Sequence, residues 1–409
     1  MYFVEIRTST NGNMQWGGVP PLIILFCLCI FSLEPIRSRY YEAFYQTHIL
    51  LAITYFGLLY WHAGNVLDSW IYLYATMALW LASWLARAFW YTQPLNIHNS
   101  WFEGSPTTLK KLSGDMTRIE VLAPLGFKYS PSQHCFLRAP KIALLDNHPF
   151  TICSSCITPT SEEKKLGIEY QQSLVFLIRT HAGFTKKLAR YVTSHPDNQL
   201  KTWIEGPYGG IRRHIELAYD NLVLVAGGGG ISACLPWLSF LRQKIREGNI
   251  GDLRIRRVAF LWTVKDTDHF SWVKDVLETD LAALSENLSI TTTFHVTKNS
   301  SESLAAGDKE KVVTSLDKVA ESNADEIRTP SEECSHSSRS LDPFGSPTYG
   351  RPVMCEFLDR LNLEGRSFII GCGPDNLRSD LANACADKQW DVFNGKSEEI
   401  ALHLEAFGW

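Results

Sequence analysis

His148, Pro149, Phe150 and Thr151 place an aromatic ring, a rigid turn residue and a hydroxyl within one tetrapeptide. That set suits a flat heteroaromatic ring carrying a polar chain, as in a flavin, although Pro-Phe pairs also make ordinary turns. Gly183, Phe184 and Thr185 open a helix-like run over 186–192. A glycine turn with a hydroxyl at a helix N-terminus offers backbone N–H groups and a favourable dipole to a phosphate; it also fits a plain threonine cap. Gly206, Pro207, Tyr208 and Gly209 close this region, and the apolar run 222–226 leads directly into Gly227, Gly228, Gly229, Gly230, Ile231 and Ser232. A strand, a glycine cluster and a helix let backbone amides approach a pyrophosphate, with Ser232 standing where a third glycine is usual. The next strand, 258–264, ends at Lys265, a cation suited to a 2′-phosphate, with Asp266 and Asp268 close behind. Gly371, Cys372, Gly373 and Pro374 follow a last core strand at 367–370. Small residues at a strand's carboxyl end admit a nicotinamide ring, and place the Cys372 thiol beside the transfer site. The terminal Trp409 can cover an isoalloxazine until a nicotinamide displaces it. His48 and His62 are separated by fourteen positions on one apolar run. On a helix they are about 40° from facing the same way and about 21 Å apart along the axis. That geometry suits axial ligation of two stacked haems, and equally two histidines at opposite membrane interfaces.

These residues need elements to hold them. The chain of 409 residues is long enough for two or three domains. Net charge is −4, so no basic field points to nucleic acid. The ten cysteines make no disulfide framework or paired zinc pattern; Cys153 and Cys156 form a lone CxxC. Residues 1–91 hold three apolar runs, 16–33, 44–64 and 70–86, read as about three transmembrane helices. Arg37, Arg39 and Arg87 flank them on one side, which places everything after Arg87 in the cytoplasm. Short β-like runs at 118–123, 174–179 and 201–204 within 95–215 suggest a small antiparallel barrel. Region 216–409 follows strand–helix–strand grammar, the mark of a parallel α/β sheet. Residues 298–348, rich in Ser, Glu, Asp and Lys, read as a disordered insertion within it.

In this order the motifs HPFT, HAGFT, GPYGG, AGGGGIS, CGP and FGW, with His48 and His62, resemble the fungal ferric reductase branch of the NADPH oxidase and ferric reductase superfamily. The resemblance implies a membrane α-helical segment plus a ferredoxin-reductase-like module: an antiparallel β-barrel FAD domain, then a Rossmann-like parallel-sheet NADP domain. It implies that His148–Thr151 and Gly183–Thr185 hold FAD. Gly206–Gly209, Gly227–Ser232 and Cys372–Pro374 would hold NADPH. The implied activity is NADPH-dependent reduction of ferric chelates for iron uptake, at an integral and plasma membrane location. Family members ligate haem b with two histidine pairs, and this chain has one, so a truncated chain or a partner chain supplying ligands is expected. The rival readings are a superoxide-generating NADPH oxidase and a haem-less truncated or regulatory membrane flavoprotein.

Overall fold

The computed structural model describes residues 17–39, 41–86, 104–123, 126–143, 146–167, 170–195, 199–248, 251, 253–298 and 347–406. Among the described residues four α-helices come first: α1 (Val19–Phe31), α2 (Glu34–Arg39), α3 (Tyr41–Ala63) and α4 (Ser69–Ala86). Proline in the first turn of α1 suits a position whose N–H has no helical partner. Among the described residues no helix is long and apolar enough to cross a membrane, against the expectation of three spans. The physical reasons differ. α1 has 13 residues, about 20 Å of helix, short of the ~30 Å of a hydrocarbon core. α3 is long enough at 23 residues, but Gln46, Thr47, His48, His62 and four tyrosines dilute its apolar character. α4 has 18 residues and carries two serines, a threonine, three tryptophans and two tyrosines. These helices nonetheless show apolar side chains outward: Leu22 is 63% exposed, Phe26 65%, Leu50 64% and Leu79 73%. Exposed apolar side chains on all three helices suit an apolar surrounding.

A six-stranded antiparallel sheet follows, in the order β4-β3-β6-β1-β2-β5. Its strands are β1 (Ser105–Lys111), β2 (Met116–Leu122), β3 (Gln133–Arg138), β4 (His148–Thr151), β5 (Ser173–Arg179) and β6 (Gln199–Gly209). Alternation drives the fold: on β5, Leu174, Phe176 and Ile178 are buried while their neighbours are half-exposed. The edges β4 and β5 are joined just beyond β4, where Cys153 N donates to Val175 O at 2.7 Å. This closes the sheet into the expected barrel and gives Cys153 a structural place. HPFT is itself β4, and GPYG is the end of β6. One helix, α5 (Gly183–Ser194), packs Phe184, Leu188 and Val192 into the barrel core.

The second sheet is parallel, in the order β10-β9-β8-β7-β11-β12. Its strands are β7 (Asn221–Gly227), β8 (Arg257–Val264), β9 (Ser289–Val296), β10 (Thr348–Tyr349), β11 (Arg366–Cys372) and β12 (Glu399–Glu405). Every residue of β7 is buried, as expected of a strand covered on both faces. Helices α6 (Ile231–Arg246) and α7 (Lys274–Ser285) belong to the core cluster on one face, and α8 (Asp375–Asp387) to that on the other. In this sheet β9, β10 and β12 escaped sequence reading. The core does not end at 367–370, because β12 adds a further parallel strand beside β11. β10 begins at the last residue of the stretch read as insertion, 298–348, of which 299–346 falls outside the described residues.

The two modules share a contact surface. Trp237 Nε1 on α6 donates to Ser132 Oγ at 3.1 Å, and Trp272 Nε1 donates to Ser113 O at 3.1 Å. Met116, at the start of β2, is buried in the core cluster of the parallel sheet.

Candidate functional site

The carboxyl ends of β7 and β11 meet. Cys372 on β11 lies in register between Ala226 of β7 and Glu405 of β12. The glycines after β7 are needed for this approach. A Cβ on Gly230 would overlap the Cys372 carbonyl, and one on Gly227 would come within 2.8 Å of Pro374 Cδ. Gly228 adopts φ +53°, a left-handed conformation that glycine takes without strain. The turn is tied from behind: Trp262 Nε1 donates to Gly228 O at 3.1 Å and Ser232 Oγ donates to Gly229 O at 3.0 Å. Ser232 therefore serves the turn itself, which explains why a serine fits where glycine is usual. No side chain caps α6; its first amide, Ile231 N, donates back to the Gly228 and Gly229 carbonyls, so the glycine turn leads directly into the helix.

Gly371 is held between side chains, with a hypothetical Cβ 2.9 Å from Leu404 Cδ2, and Gly373 lies against the Gly227 backbone. Cys372 is fully buried, and that burial pushes its thiol far above the ordinary range. It is a neutral thiol at physiological pH, not a nucleophile. Sequence reading missed Glu405, which pairs with Cys372 in register and exerts its charge on Cys372, Cys234 and His134. Its signal was the alternating IALHLE run before the terminus. Missed too was His134 of β3, whose ring lies 6.1 Å from that of Tyr208. Burial lowers the His134 pKa, and Glu405 opposes the shift.

Lys265 follows β8 and is exposed. Its carbonyl accepts from Lys298 N at 3.1 Å, and Lys298 Nζ is paired with Asp266 at 3.4 Å. The local field at this strand end is thus mixed, with Lys265 its outermost cation.

On the barrel, His148 and Phe150 share one face of β4, and His148 stacks on Phe184 with centroids 4.9 Å apart. Pro149 and Thr151 take the opposite face, opposite Phe136 and His134 in register. All four β4 residues are half-exposed, as residues open to a ligand should be. Gly183, at φ +54°, starts α5. Thr185 Oγ1 accepts from His181 N at 2.9 Å and donates to Ala182 O at 3.0 Å, so it shapes the loop that presents the helix start. Beside α5 a groove of about 480 Å³ is lined by Lys111, Lys186, Arg190, Thr117 and Thr180. Its cations favour phosphate. Gly206, Pro207, Tyr208 and Gly209 lie on β6, two strands from β4, with Tyr208 Oη donating to Glu205 at 2.8 Å. Gly209, at φ +68°, leaves room for the His134 ring. GPYG thus belongs to the barrel sheet, and through His134, which feels the charge of Glu405, it lies toward the strand ends of the parallel sheet. Trp409 lies outside the described residues.

A run of rings links the barrel to the N-terminal helices. Tyr41, at the start of α3, is 6.4 Å from His148; Phe44 is 6.3 Å from Tyr41; His48 is 5.3 Å from Phe44. His48 is half-buried, with Nδ1 3.4 Å from Ser32 Oγ. His62 Nδ1 is buried near Gly17 with no hydrogen-bond partner among the described residues. Imidazole nitrogens are the kind of ligand that haem iron takes, and the buried, unpartnered Nδ1 of His62 leaves that ring uncommitted to any neighbour among the described residues, which is compatible with a haem.

Comparison with known proteins bears on the lineage. Residues 4–59 match "Ferric reductase like transmembrane component", 102–212 "FAD-binding domain" and 219–386 "Ferric reductase NAD binding domain". The three matches run along the chain in the order membrane component, flavin domain, nucleotide domain. The chain is 33% identical over 267 residues to the Probable cell surface ferric reductase kap2 of Aspergillus oryzae, covering 64% of this chain and 33% of that one. To the Ferric/cupric reductase transmembrane component 7 of Saccharomyces cerevisiae it is 28% identical over 415 residues, 97% of this chain and 62% of the relative. The Ferric reduction oxidase 7, chloroplastic, of Arabidopsis thaliana is 26% identical over 322 residues, 75% of this chain and 39% of the relative. The chain thus spans from a third to just under two thirds of the length of these ferric reductases. Its sequence thus matches a ferric reductase-like transmembrane component, an FAD-binding domain and a ferric reductase NAD-binding domain.

Proposed function

We propose that this chain is the membrane-anchored, FAD- and NADPH-binding part of an NADPH-dependent ferric-chelate reductase, seated in the plasma membrane with its flavin module in the cytoplasm. The observation that carries the reading is the convergence at one end of the parallel sheet of the Gly227–Gly230 turn, Cys372 and Glu405, with β4 joined through rings to α3. FAD, when bound, supplies the conversion between a two-electron hydride donor and a one-electron acceptor such as Fe³⁺.

The protein's part is to bind and orient. Gly227, Gly228, Gly229 and Gly230 present amides to the dinucleotide pyrophosphate at the start of α6, and Lys265 meets the 2′-phosphate. Gly371 and Gly373 let the strand ends pack against Leu404 and the Gly227 backbone, so that with Pro374 they bring main chain to the nicotinamide beside the neutral Cys372. His148, Pro149, Phe150 and Thr151 hold the flavin ring, and Gly183, Phe184 and Thr185 with the basic groove hold its phosphates. Gly206, Pro207, Tyr208 and Gly209 shape the barrel wall beside them. Trp409 is assigned the covering role over the flavin ring. His48 and His62 are the residues that would hold haem b, which supplies single-electron transfer across the membrane; a partner chain is one source of the opposite ligands.

The test uses the full chain, purified in detergent with FAD, NADPH and ferric citrate. Fe²⁺ formation that depends on FAD and is insensitive to superoxide dismutase is expected. Superoxide in place of Fe²⁺ makes the chain an oxidase. A colourless protein that also fails to oxidise NADPH with an artificial acceptor removes the flavin reading altogether.

A further inference from the structure

We propose that Ser32 is a positioning residue that sets the tautomer of His48 for iron ligation, an inference that rests on the haem reading above. Ser32 closes the C-terminal end of α1, and its Oγ donates to Leu28 O at 2.6 Å. A hydroxyl has one proton, and that bond uses it. Toward His48 Nδ1, 3.4 Å away, Ser32 therefore offers only lone pairs. The contact is favourable when Nδ1 carries the ring proton and repulsive when it does not. A neutral imidazole has a single N–H, so Nε2 is left bare. A bare Nε2 with Nδ1–H tied to an outer acceptor is the arrangement that a metal-bound histidine requires.

Two further features belong to the same device. Phe44, one helical turn before His48 with its ring 5.3 Å away, limits how the imidazole can rotate. His62 has no counterpart of Ser32, since its Nδ1 lacks a hydrogen-bond partner among the described residues. The two histidines of α3 are therefore unequal: one is pre-oriented by the end of the neighbouring helix, the other is not. An acceptor on Nδ1–H also makes Nε2 a stronger donor, which favours the ferric state of the iron it holds.

The full chain, purified from membranes, is titrated with haem and followed by Soret absorbance, with the midpoint potential read by spectroelectrochemistry. The variants are Ser32→Ala, Ser32→Thr and His48→Ala. Ser32→Ala is expected to weaken haem binding by roughly 10-fold or more and to raise the midpoint. Ser32→Thr keeps the hydroxyl, which a helix tolerates, and should behave as the unchanged protein. Wild-type affinity and midpoint in Ser32→Ala, while His48→Ala loses haem, overturn the role of Ser32. Equal losses in Ser32→Ala and Ser32→Thr overturn it as well. If the unchanged chain takes up no haem, or His48→Ala binds it as well as the unchanged chain does, the haem reading fails and this inference with it.

Discussion

At the scale of single residues, function here depends on atoms that are missing as much as on those present. Gly230 lacks the Cβ that would collide with the Cys372 carbonyl, and that absence brings two strand ends together. Gly230→Ala is expected to part them, raising the Michaelis constant for NADPH at least about tenfold, equivalent to 1.4 kcal/mol or more. Steady-state kinetics with an artificial acceptor checks this, and an unchanged constant would show that the turn does not meet the dinucleotide. Lys265 is the outermost cation at the end of β8, while Asp266 beside it is held by Lys298. Lys265→Ala should weaken NADPH far more than NADH, and equal effects on both would separate this lysine from the 2′-phosphate.

Elements set the conditions under which those residues stay in place. The amino ends of β7, β11 and β12 are joined by a charged cluster in which Arg366 pairs with Glu399, Arg213 reaches Glu399 at 3.1 Å, and Tyr219 donates to Glu399 at 2.7 Å. The Tyr219 hydrogen bond, then that of Arg366, pushes the Glu399 pKa down from 4.5 to about 2. A carboxylate whose pKa is depressed in the folded state stabilises above its unfolded value, and that stabilisation is lost as pH falls through the folded one. Glu399→Gln should therefore lower the melting temperature at pH 7 and leave a shallower decline between about pH 4.5 and 2. Thermal denaturation across that range measures it, and parallel curves for the two proteins would count against the cluster. β12 has a second role, because its other end carries Glu405 to Cys372. The same strand thus anchors the sheet at one end and enters the site at the other.

Across the whole molecule, the modules are coupled by buried contacts, and the cysteines report on that packing. Cys135, Cys153, Cys234, Cys372 and Cys385 are buried, while Cys355 is exposed. Burial raises Cys135, Cys153 and Cys385 to about 12 and Cys372 higher still. Iodoacetamide at pH 8 is expected to label Cys355 and to spare these five until the modules unfold, as read by peptide mass spectrometry. Early labelling of Cys372 would mean that the strand-end cleft is open to solvent. The N-terminal helices follow a different logic, for they show Leu22, Phe26 and Leu79 outward and touch the barrel through Tyr41 and His148.

Much of this protein was legible in its sequence because the deciding physics is local. Four glycines between a buried apolar run and a helix, alternation on β5, and the apolar run bearing His48 and His62 depend only on near neighbours, so the barrel, the parallel sheet and the glycine turn could be read directly. Partners distant along the chain could not. β12 joins β11 through register, and Glu405 reaches Cys372 only because the sheet brings them side by side. Ser32 ends α1 while His48 lies on α3, and His134 and Tyr208 lie on separate strands. HPFT became a strand, despite its proline, because β3 supplies the edge on which it pairs. Such pairings are set by which surfaces bury each other, a property of the assembled chain that no spacing in the sequence records.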